Sequence, residues 1–168
     1  MALRDGTKDT LIWSDPFAIE LGWLDANGHL NMAYYHVMFD RTVDIALDSI
    51  DFGARYREAH NAGAFNVETH VVYRREVRSD DRVRVSFHLL GRDEKRLHAF
   101  QTMVNLADDE VVATSESLFI HVDLTARRAS PMPDAIQQAA DAMIEAHRTA
   151  EVSPFAGRRI APLAAERS

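Results

Sequence analysis

The longest apolar segment of the chain constrains its fold more than any other feature. Leu30 to Ile50 carries apolar residues at mixed three- and four-residue spacings, which is the period of an α-helix. The apolar surface is so wide that only a narrow polar stripe remains, at His36, Asp40, Asp44 and Asp48. A helix that is apolar nearly all round is buried rather than laid on a surface. The rest of the chain must therefore cover this helix.

Four later segments show the two-residue alternation of β-strands. These segments are residues 65–73, 83–89, 97–106 and 111–122. Short turns connect consecutive strands, among them Gly91 to Lys95, and such turns favour an antiparallel sheet. The pattern predicts an α+β fold in which an antiparallel sheet packs on the long helix.

The flanking segments complete a single predicted domain, residues 1–168, with its core at about 12–148. Ile12 to Leu21 could form a first strand that is interrupted near Asp15-Pro16. Residues 134–148 have one apolar stripe and predict an additional C-terminal helix. We expect residues 1–10 to be loose and the tail at about 149–168 to be a loop.

Composition excludes several functional classes. The chain has no cysteine, so thiol nucleophiles, disulfides and zinc–thiolate sites are ruled out. Its formal net charge of −7 argues against a nucleic-acid partner. No apolar run approaches the roughly 20 residues that cross a bilayer, and the N-terminus lacks the apolar core of a signal peptide. We therefore expect a cytoplasmic protein without a membrane partner.

A short polar motif stands directly before the long helix. It reads Asp25-Ala26-Asn27-Gly28-His29-Leu30-Asn31-Met32, an acid followed by a glycine turn. The first turn of a helix has unpaired backbone N–H groups and the positive end of the helix dipole. A carboxylate beside such groups could deprotonate water or attack a carbonyl carbon, while the N–H groups stabilise the resulting oxyanion.

The same residues also have a simpler interpretation as structural caps. Asp25 could cap the glycine turn, and Asn31 is a typical N-cap residue. His29 could orient Asp25, donate to a substrate carbonyl, or be a helix-entry residue bound to backbone groups. Gly28 supplies either a close approach of backbone to ligand or an ordinary turn. The residues alone leave both interpretations open.

Other catalytic signatures are missing. No serine has glycines two residues away on both sides, which excludes the nucleophile elbow of α/β-hydrolases. The histidines lack the paired spacing of zinc sites, so we expect no metal.

The order of an aspartate, two residues, Gly-His, one residue and an asparagine resembles the active-site segment of hotdog-fold acyl-CoA thioesterases. Further segments are similar to one branch, the betainyl-CoA thioesterases of bacterial carnitine breakdown, which occur alone or fused to a carnitine dehydrogenase. These segments are Trp23–His29, Val67–His70, Gly91–His98, Ala113–Glu116 and His121–Asp123. The resemblance covers about residues 17 to 135. Met32 departs from it, because many members of the wider family carry a second asparagine at this position.

The resemblance implies a fold, a reaction and a set of residues. The fold is an antiparallel sheet wrapped around a long central helix, and the reaction is hydrolysis of a short-chain acyl-CoA, betainyl-CoA in this branch. The catalytic group would comprise Asp25 as base or nucleophile together with His29 and Asn31. Backbone groups at Gly28 and Met32 would form the oxyanion site.

The resemblance also implies residues that bind the substrate. A betaine-like acyl group carries a quaternary ammonium, and such cations bind in aromatic cages backed by a carboxylate. The candidate pocket residues are Trp23, Asn27, Tyr35, Phe65 and Glu68. Lys95 and Arg96 could contact the phosphates of coenzyme A. Each of these side chains also has an ordinary interpretation as a core or solvated residue.

The expected partners follow from the same fold. An open sheet has edges to protect, so we expect a homo-oligomer, a dimer or tetramer with sites shared between subunits. Hydrolysis needs only water, and coenzyme A is part of the substrate, so no cofactor is expected. Two alternatives stay open, a non-catalytic acyl-CoA sensor and, less favoured by the motif, an enoyl-CoA hydratase of the same fold.

Overall fold

Residues 10–160 are described by a computed structural model and contain one antiparallel sheet and three α-helices. The strands are β1 Ile12–Trp13, β2 Phe17–Ala18, β3 Ala62–Tyr73, β4 Arg82–Arg92, β5 Arg96–Asn105, β6 Val111–Asp123 and β7 Arg128–Ala129. The helices are α1 Met32–Asp48, α2 Ala54–His60 and α3 Asp134–His147, preceded by a 3-10 turn at Leu21–Trp23. The expectations for residues 1–9 and 161–168 lie outside the described residues.

The sheet confirms the predicted α+β architecture. Its order is β1-β4-β5-β6-β3, with β2 also paired to β4 and β7 to β6, and every pairing is antiparallel. One face of the sheet covers α1, as in the hotdog fold that the resemblance implies. Alternation in β4 explains this face, because Val83, Val85, Phe87 and Leu89 are all at most 1% exposed.

The prediction that α1 is buried all round is wrong for one of its sides. Residues such as Met38 and Phe39 pack against the sheet, but the polar stripe is exposed. Two apolar residues share this exposed side: Met32 is 63% and Ile45 is 42% accessible. The sheet of one protomer reaches only one side of the helix, and apolar pattern alone does not reveal which side stays open.

Sequence reasoning missed two elements, α2 and β7, and it predicted the interruption of the first strand near Asp15-Pro16 but made that strand too long, since Leu21 begins the 3-10 turn. The segment Ile12 to Leu21 forms two separate two-residue strands, because the chain between them, at Asp15-Pro16, leaves the sheet. Helix α2 is only seven residues long and buries one of them, so it shows no clear period. Strand β7 has two exposed residues and equally little pattern.

The predicted C-terminal helix is confirmed as α3. Its buried residues Ile136, Ala140 and Met143 join the same core cluster as Leu47 of α1 and Leu89 of β4. From the end of α3 the chain turns onto the other face of the sheet, which we call the outer face. Among residues 10–160, no helix is both long and apolar enough to cross a bilayer.

Within the described part of the chain, strand β3 forms one edge of the sheet and pairs only with β6. A β-bulge interrupts the register between Asn66 and Glu68. Two apolar side chains of this edge strand, Phe65 and Val67, are 41% and 55% exposed. A long apolar edge of this kind is a template for pairing with another strand.

Candidate active site

The loop that carries Asp25 is closed by its own hydrogen bonds. The Oδ1 atom of Asp25 accepts the backbone N–H groups of Asn27 at 2.8 Å and His29 at 3.1 Å. The backbone N–H of Asp25 donates to the carbonyl of His29 at 2.8 Å, and that of Gly28 to the carbonyl of Asp25 at 3.0 Å. Gly28 has a φ of +77°, a left-handed conformation that glycine adopts without strain. The loop therefore holds one carboxylate oxygen in a defined place.

Both backbone donors bind Oδ1, so within residues 10–160 the second oxygen of Asp25, Oδ2, accepts no backbone N–H, and the side-chain amide of Asn27 also acts on this carboxylate. The backbone hydrogen bonds from His29 and then Asn27 lower the pKa of the Asp25 carboxyl. Asp25 is therefore ionised at neutral pH, the form that a general base or a nucleophile requires.

Helix α1 begins beside this carboxylate. Asn31 is the N-cap of this helix, and its Oδ1 accepts the N–H of Ala33 at 3.0 Å. The structure therefore contains the cap that the sequence predicted for Asn31. Met32 is the first residue of the helix, and its N–H makes no hydrogen bond within the described part of the chain. An unpaired N–H at the positive end of a helix dipole suits a developing oxyanion.

Asp25 and the helix start line one cleft of about 540 Å³. Its walls come from the motif and from the end of β3 with the loop behind it. They are Asp25, His29, Leu30, Asn31, Met32, Tyr35, Tyr73, Arg74, Arg75 and Glu76. The cleft is thus lined by the Asp25 loop, by the helix start at Met32 and by two tyrosines.

His29 pairs with a residue that sequence reasoning missed. Its Nε2 lies 3.1 Å from the carboxylate of Glu76, which also accepts a hydrogen bond from Arg78 Nε at 3.0 Å. His29 therefore holds Asp25 through its backbone N–H rather than through its ring. No spacing in the sequence relates Glu76 to the motif, because 46 residues and two helices separate them in the chain.

Two tyrosines meet in the cleft. The rings of Tyr35 and Tyr73 are 5.1 Å apart in an edge-to-face arrangement. Burial, reinforced by the nearby Tyr73, raises the pKa of Tyr35 to about 12, so its hydroxyl stays protonated and neutral. The pair offers aromatic surface rather than acid–base chemistry.

Trp23 and Asn27, two further candidate pocket residues, do not line this cleft in the described part of the chain. Trp23 is buried and stacks on Tyr34 with ring centroids 5.1 Å apart, and the guanidinium of Arg41 lies 5.7 Å from its ring. Asn27 is exposed at the loop tip and contacts Asp25 through its backbone. Trp23 is thus a core residue that packs against α1 through Tyr34 and Arg41.

The remaining candidates lie on the outer face of the sheet. Phe65 pairs with Ile120, and Glu68 with Leu118, both on the face opposite α1. Arg96 forms an ion pair with Asp93 at 2.6 Å, and Lys95 lies 3.2 Å from Glu94. Eight residues of β3 separate Phe65 from Tyr73, or about 26 Å at the rise of an extended strand. One protomer does not bring these residues to Asp25.

Among residues 10–160, no three histidine or carboxylate side chains converge as a metal site would require. Most of the charged groups of the cleft are instead joined in pairs, His29 with Glu76 and Arg75 with Asp108, and Asp25 is bound to backbone N–H groups. The site is therefore built around one carboxylate, one helix start and an aromatic wall.

Residues 19–140 match the family model of the thioesterase-like superfamily, and the chain belongs to this superfamily. Betainyl-CoA thioesterase of Pseudomonas aeruginosa is 33% identical over 138 residues, which are 82% of this chain and 87% of that protein. L-carnitine dehydrogenase/betainyl-CoA thioesterase of Agrobacterium fabrum is 41% identical over 121 residues, 71% of this chain but 24% of that longer protein. A Staphylococcus aureus protein solved in complex with CoA superposes with a TM-score of 0.84 at 22% identity, covering 97% and 98% of the two chains.

Proposed function

We propose that this chain is a hydrolase that cleaves a short-chain acyl-CoA to the free acid and CoA. The observation that carries the proposal is that Asp25, whose Oδ2 accepts no backbone N–H, and Met32, whose N–H is unpaired, line the same cleft. A thioester carbonyl placed between them would meet a base or nucleophile on one side and an oxyanion donor on the other. Membership of the thioesterase-like superfamily supports the same reaction.

The proposed reaction has two routes that end in the same products. In the first, Asp25 takes a proton from water as the water oxygen attacks the carbonyl carbon. In the second, Asp25 attacks the carbonyl and the mixed anhydride is then hydrolysed by water. In both, the C–S bond breaks, the thiolate of CoA leaves and receives a proton that water has released, and one water is consumed for each acid formed. Neither route needs a metal or redox cofactor.

The cleft also supports a cationic acyl group, for which betainyl is the proposed example. Tyr35 and Tyr73 form an aromatic pair beside Asp25, and the carboxylate of Glu76 lies in the same cleft. Aromatic faces and a carboxylate are the groups that bind a quaternary ammonium. The names of two relatives support this acyl group and, with it, a role in carnitine metabolism.

A homodimer would protect the exposed edge of the sheet. We infer that the free edge of β3 pairs antiparallel with β3 of a second subunit about a two-fold axis near Val67 and Glu68, the middle of the strand. Tyr73 would then stand opposite residues 62–63 of the partner subunit. Phe65 of the partner subunit would be about 10 Å away along the strand instead of about 26 Å. This pairing would shorten the distance along the sheet between the partner's outer-face side chains and the strand end that carries Tyr73, while those side chains would stay on the outer face.

The decisive experiment follows thiol release from a panel of acyl-CoA substrates with wild type and Asp25→Asn. The asparagine keeps an oxygen that accepts the N–H groups of Asn27 and His29, so the loop should keep its shape while the charge is lost. We expect kcat/KM to fall about 10²- to 10⁴-fold, the usual contribution of a positioned base. Asp15→Asn, a change at an exposed carboxylate outside the cleft, is the matched control and should leave activity unchanged.

The panel includes betainyl-CoA and its neutral isostere, in which carbon replaces the quaternary nitrogen. Preference for the cation over the isostere supports the aromatic and carboxylate cage, whereas equal rates reject betainyl specificity but keep the thioesterase. Binding of every thioester without cleavage would reject the enzyme and leave an acyl-CoA-binding protein.

A further inference from the structure

The segment after α3 covers part of the outer face of the sheet. Residues 151–155 enclose a cavity of about 140 Å³ against side chains of β4, β5 and β6, among them Ser86 and Thr102. Two residues further along, the N–H of Gly157 donates to the Glu116 carboxylate at 2.6 Å, and Glu116 also binds His98 at 2.7 Å. The segment is therefore held on the sheet from both ends.

The aromatic ring of this segment contacts an arginine next to the candidate active site. The guanidinium carbon of Arg74 lies 4.4 Å from the ring centroid of Phe155, a cation–π distance. On the other side, Arg158 lies 5.8 Å from the same ring. Phe155 is half-buried, whereas Arg74 is exposed, so the ring is the more constrained partner.

Arg74 belongs to both cavities. It lines the cavity under Phe155, and it also lines the cleft that contains Asp25. It directly follows Tyr73, and successive side chains of an extended chain point to opposite faces. Tyr73 therefore packs on Tyr35 at the inner face, whereas Arg74 marks the exit from the cleft toward the outer face.

The charge of Arg74 is not used within the described residues. Its neighbour Arg75 forms an ion pair with Asp108 at 2.6 Å, and Arg78 is bound to Glu76. The side chain of Arg74 has neither an ion pair nor a hydrogen bond in residues 10–160. Its one polar contact there is the cation–π contact with the ring of Phe155. A cation that is oriented but not neutralised, at the mouth of a cleft, is suited to an anionic part of a ligand.

We propose that Phe155 positions Arg74 to bind a phosphate of the CoA part of the substrate as it leaves the Asp25 cleft. The proposal rests on the proposed thioesterase function. A cationic acyl group is repelled by Arg74 and turns toward Tyr35 and Tyr73, so the same arginine orients the substrate with its acyl end inward. Phe155 is then a positioning residue, and the C-terminal segment is part of substrate recognition.

The test compares two thioesters of the same acyl group, one of CoA and one of pantetheine, which lacks the phosphates. For Phe155→Ala we expect KM for the CoA thioester to rise about three- to tenfold at unchanged kcat, as for the loss of one cation–π contact. KM for the pantetheine thioester should not change. Phe155→Tyr keeps an aromatic face and should restore the wild-type KM.

Arg74→Gln tests the proposal without altering the segment, in case Phe155→Ala unfolds. It should raise KM for the CoA thioester selectively, and the rise should shrink at high ionic strength because phosphate contacts are screened. Arg55→Gln, at an exposed arginine of α2 outside both cavities, is the charge-matched control. Equal effects on both thioesters, or no effect on either, would overturn the proposal. If wild type cleaves neither thioester, the proposed function itself fails and the proposal fails with it.

Discussion

A buried histidine predicts how the stability of the fold depends on pH. His147, at the end of α3, is 2% exposed, and its Nδ1 accepts the backbone N–H of Leu89 in β4 at 3.0 Å. The ring of His88 lies 5.6 Å away. Burial, and then the neighbouring His88, lower the pKa of His147 from 6.5 to about 4. The neutral ring is the form that fits the folded state.

The size of the stability change follows from the difference between the pKa of His147 in the folded chain and its pKa in the unfolded chain. Above pH 6.5 the ring of His147 is neutral in both states, and its contribution to the free energy of unfolding is fully present. As the pH falls from 6.5 to about 4, the unfolded chain binds a proton that the folded chain does not, so stability is lost. The loss from this residue is about 2 to 3 kcal/mol.

The assay is urea denaturation at a series of pH values with wild type and His147→Asn. Asparagine places an oxygen where Nδ1 lies and keeps an acceptor for Leu89, but it does not titrate. We expect the stability difference between the two proteins to shrink by about 2 to 3 kcal/mol on going from pH 7.5 to pH 4. Parallel curves across that range would refute the reasoning. His88 is present in both proteins, so the comparison reports the titration of His147 together with its coupling to His88.

Two further predictions concern the start of α1 and the free edge. Asn31→Ala removes the oxygen that accepts the N–H of Ala33, and we expect urea denaturation to show a loss of about 1 kcal/mol. An unchanged midpoint would contradict the cap. Val67→Lys places a charge beside its own copy at the proposed two-fold axis, so sedimentation velocity at micromolar concentration should show a shift from dimer to monomer. Val67→Thr is the control, and a wild-type monomer, or a Lys variant that remains dimeric, would contradict pairing through β3.

The structure shows which of the candidate residues lie together in the cleft. Asp25, His29, Asn31 and Met32 lie together because one loop and one helix start carry them, and Gly28 gives that loop its turn. That these residues lie together was predictable, because they are close to one another in the sequence. The roles given to these residues stay predictions until the Asp25→Asn comparison is made, as does the single-domain organisation of residues 1–168.

Other residues in and around the cleft could not be predicted from the sequence near the motif. Glu76 reaches His29 from the loop between β3 and β4, and Arg74 reaches Phe155 across the outer face of the sheet. In the opposite direction, Trp23 is two residues from Asp25 in the chain but is stacked in the core on Tyr34. Proximity in sequence therefore wrongly placed Trp23 and Asn27 in the cleft and gave no indication of Glu76, Arg74 or Phe155.

The sequence by itself determined the elements that a short-range period specifies. Side chains two apart share a face of a strand, and side chains three or four apart share a face of a helix, so β3 to β6, α1 and α3 could be read from the order of apolar residues. The tertiary structure alone decided which side of α1 the sheet covers, which edge strand stays free, and which loop closes the cleft. Those outcomes depend on contacts between residues far apart in the chain, and such contacts form only when the topology of the sheet brings the elements together.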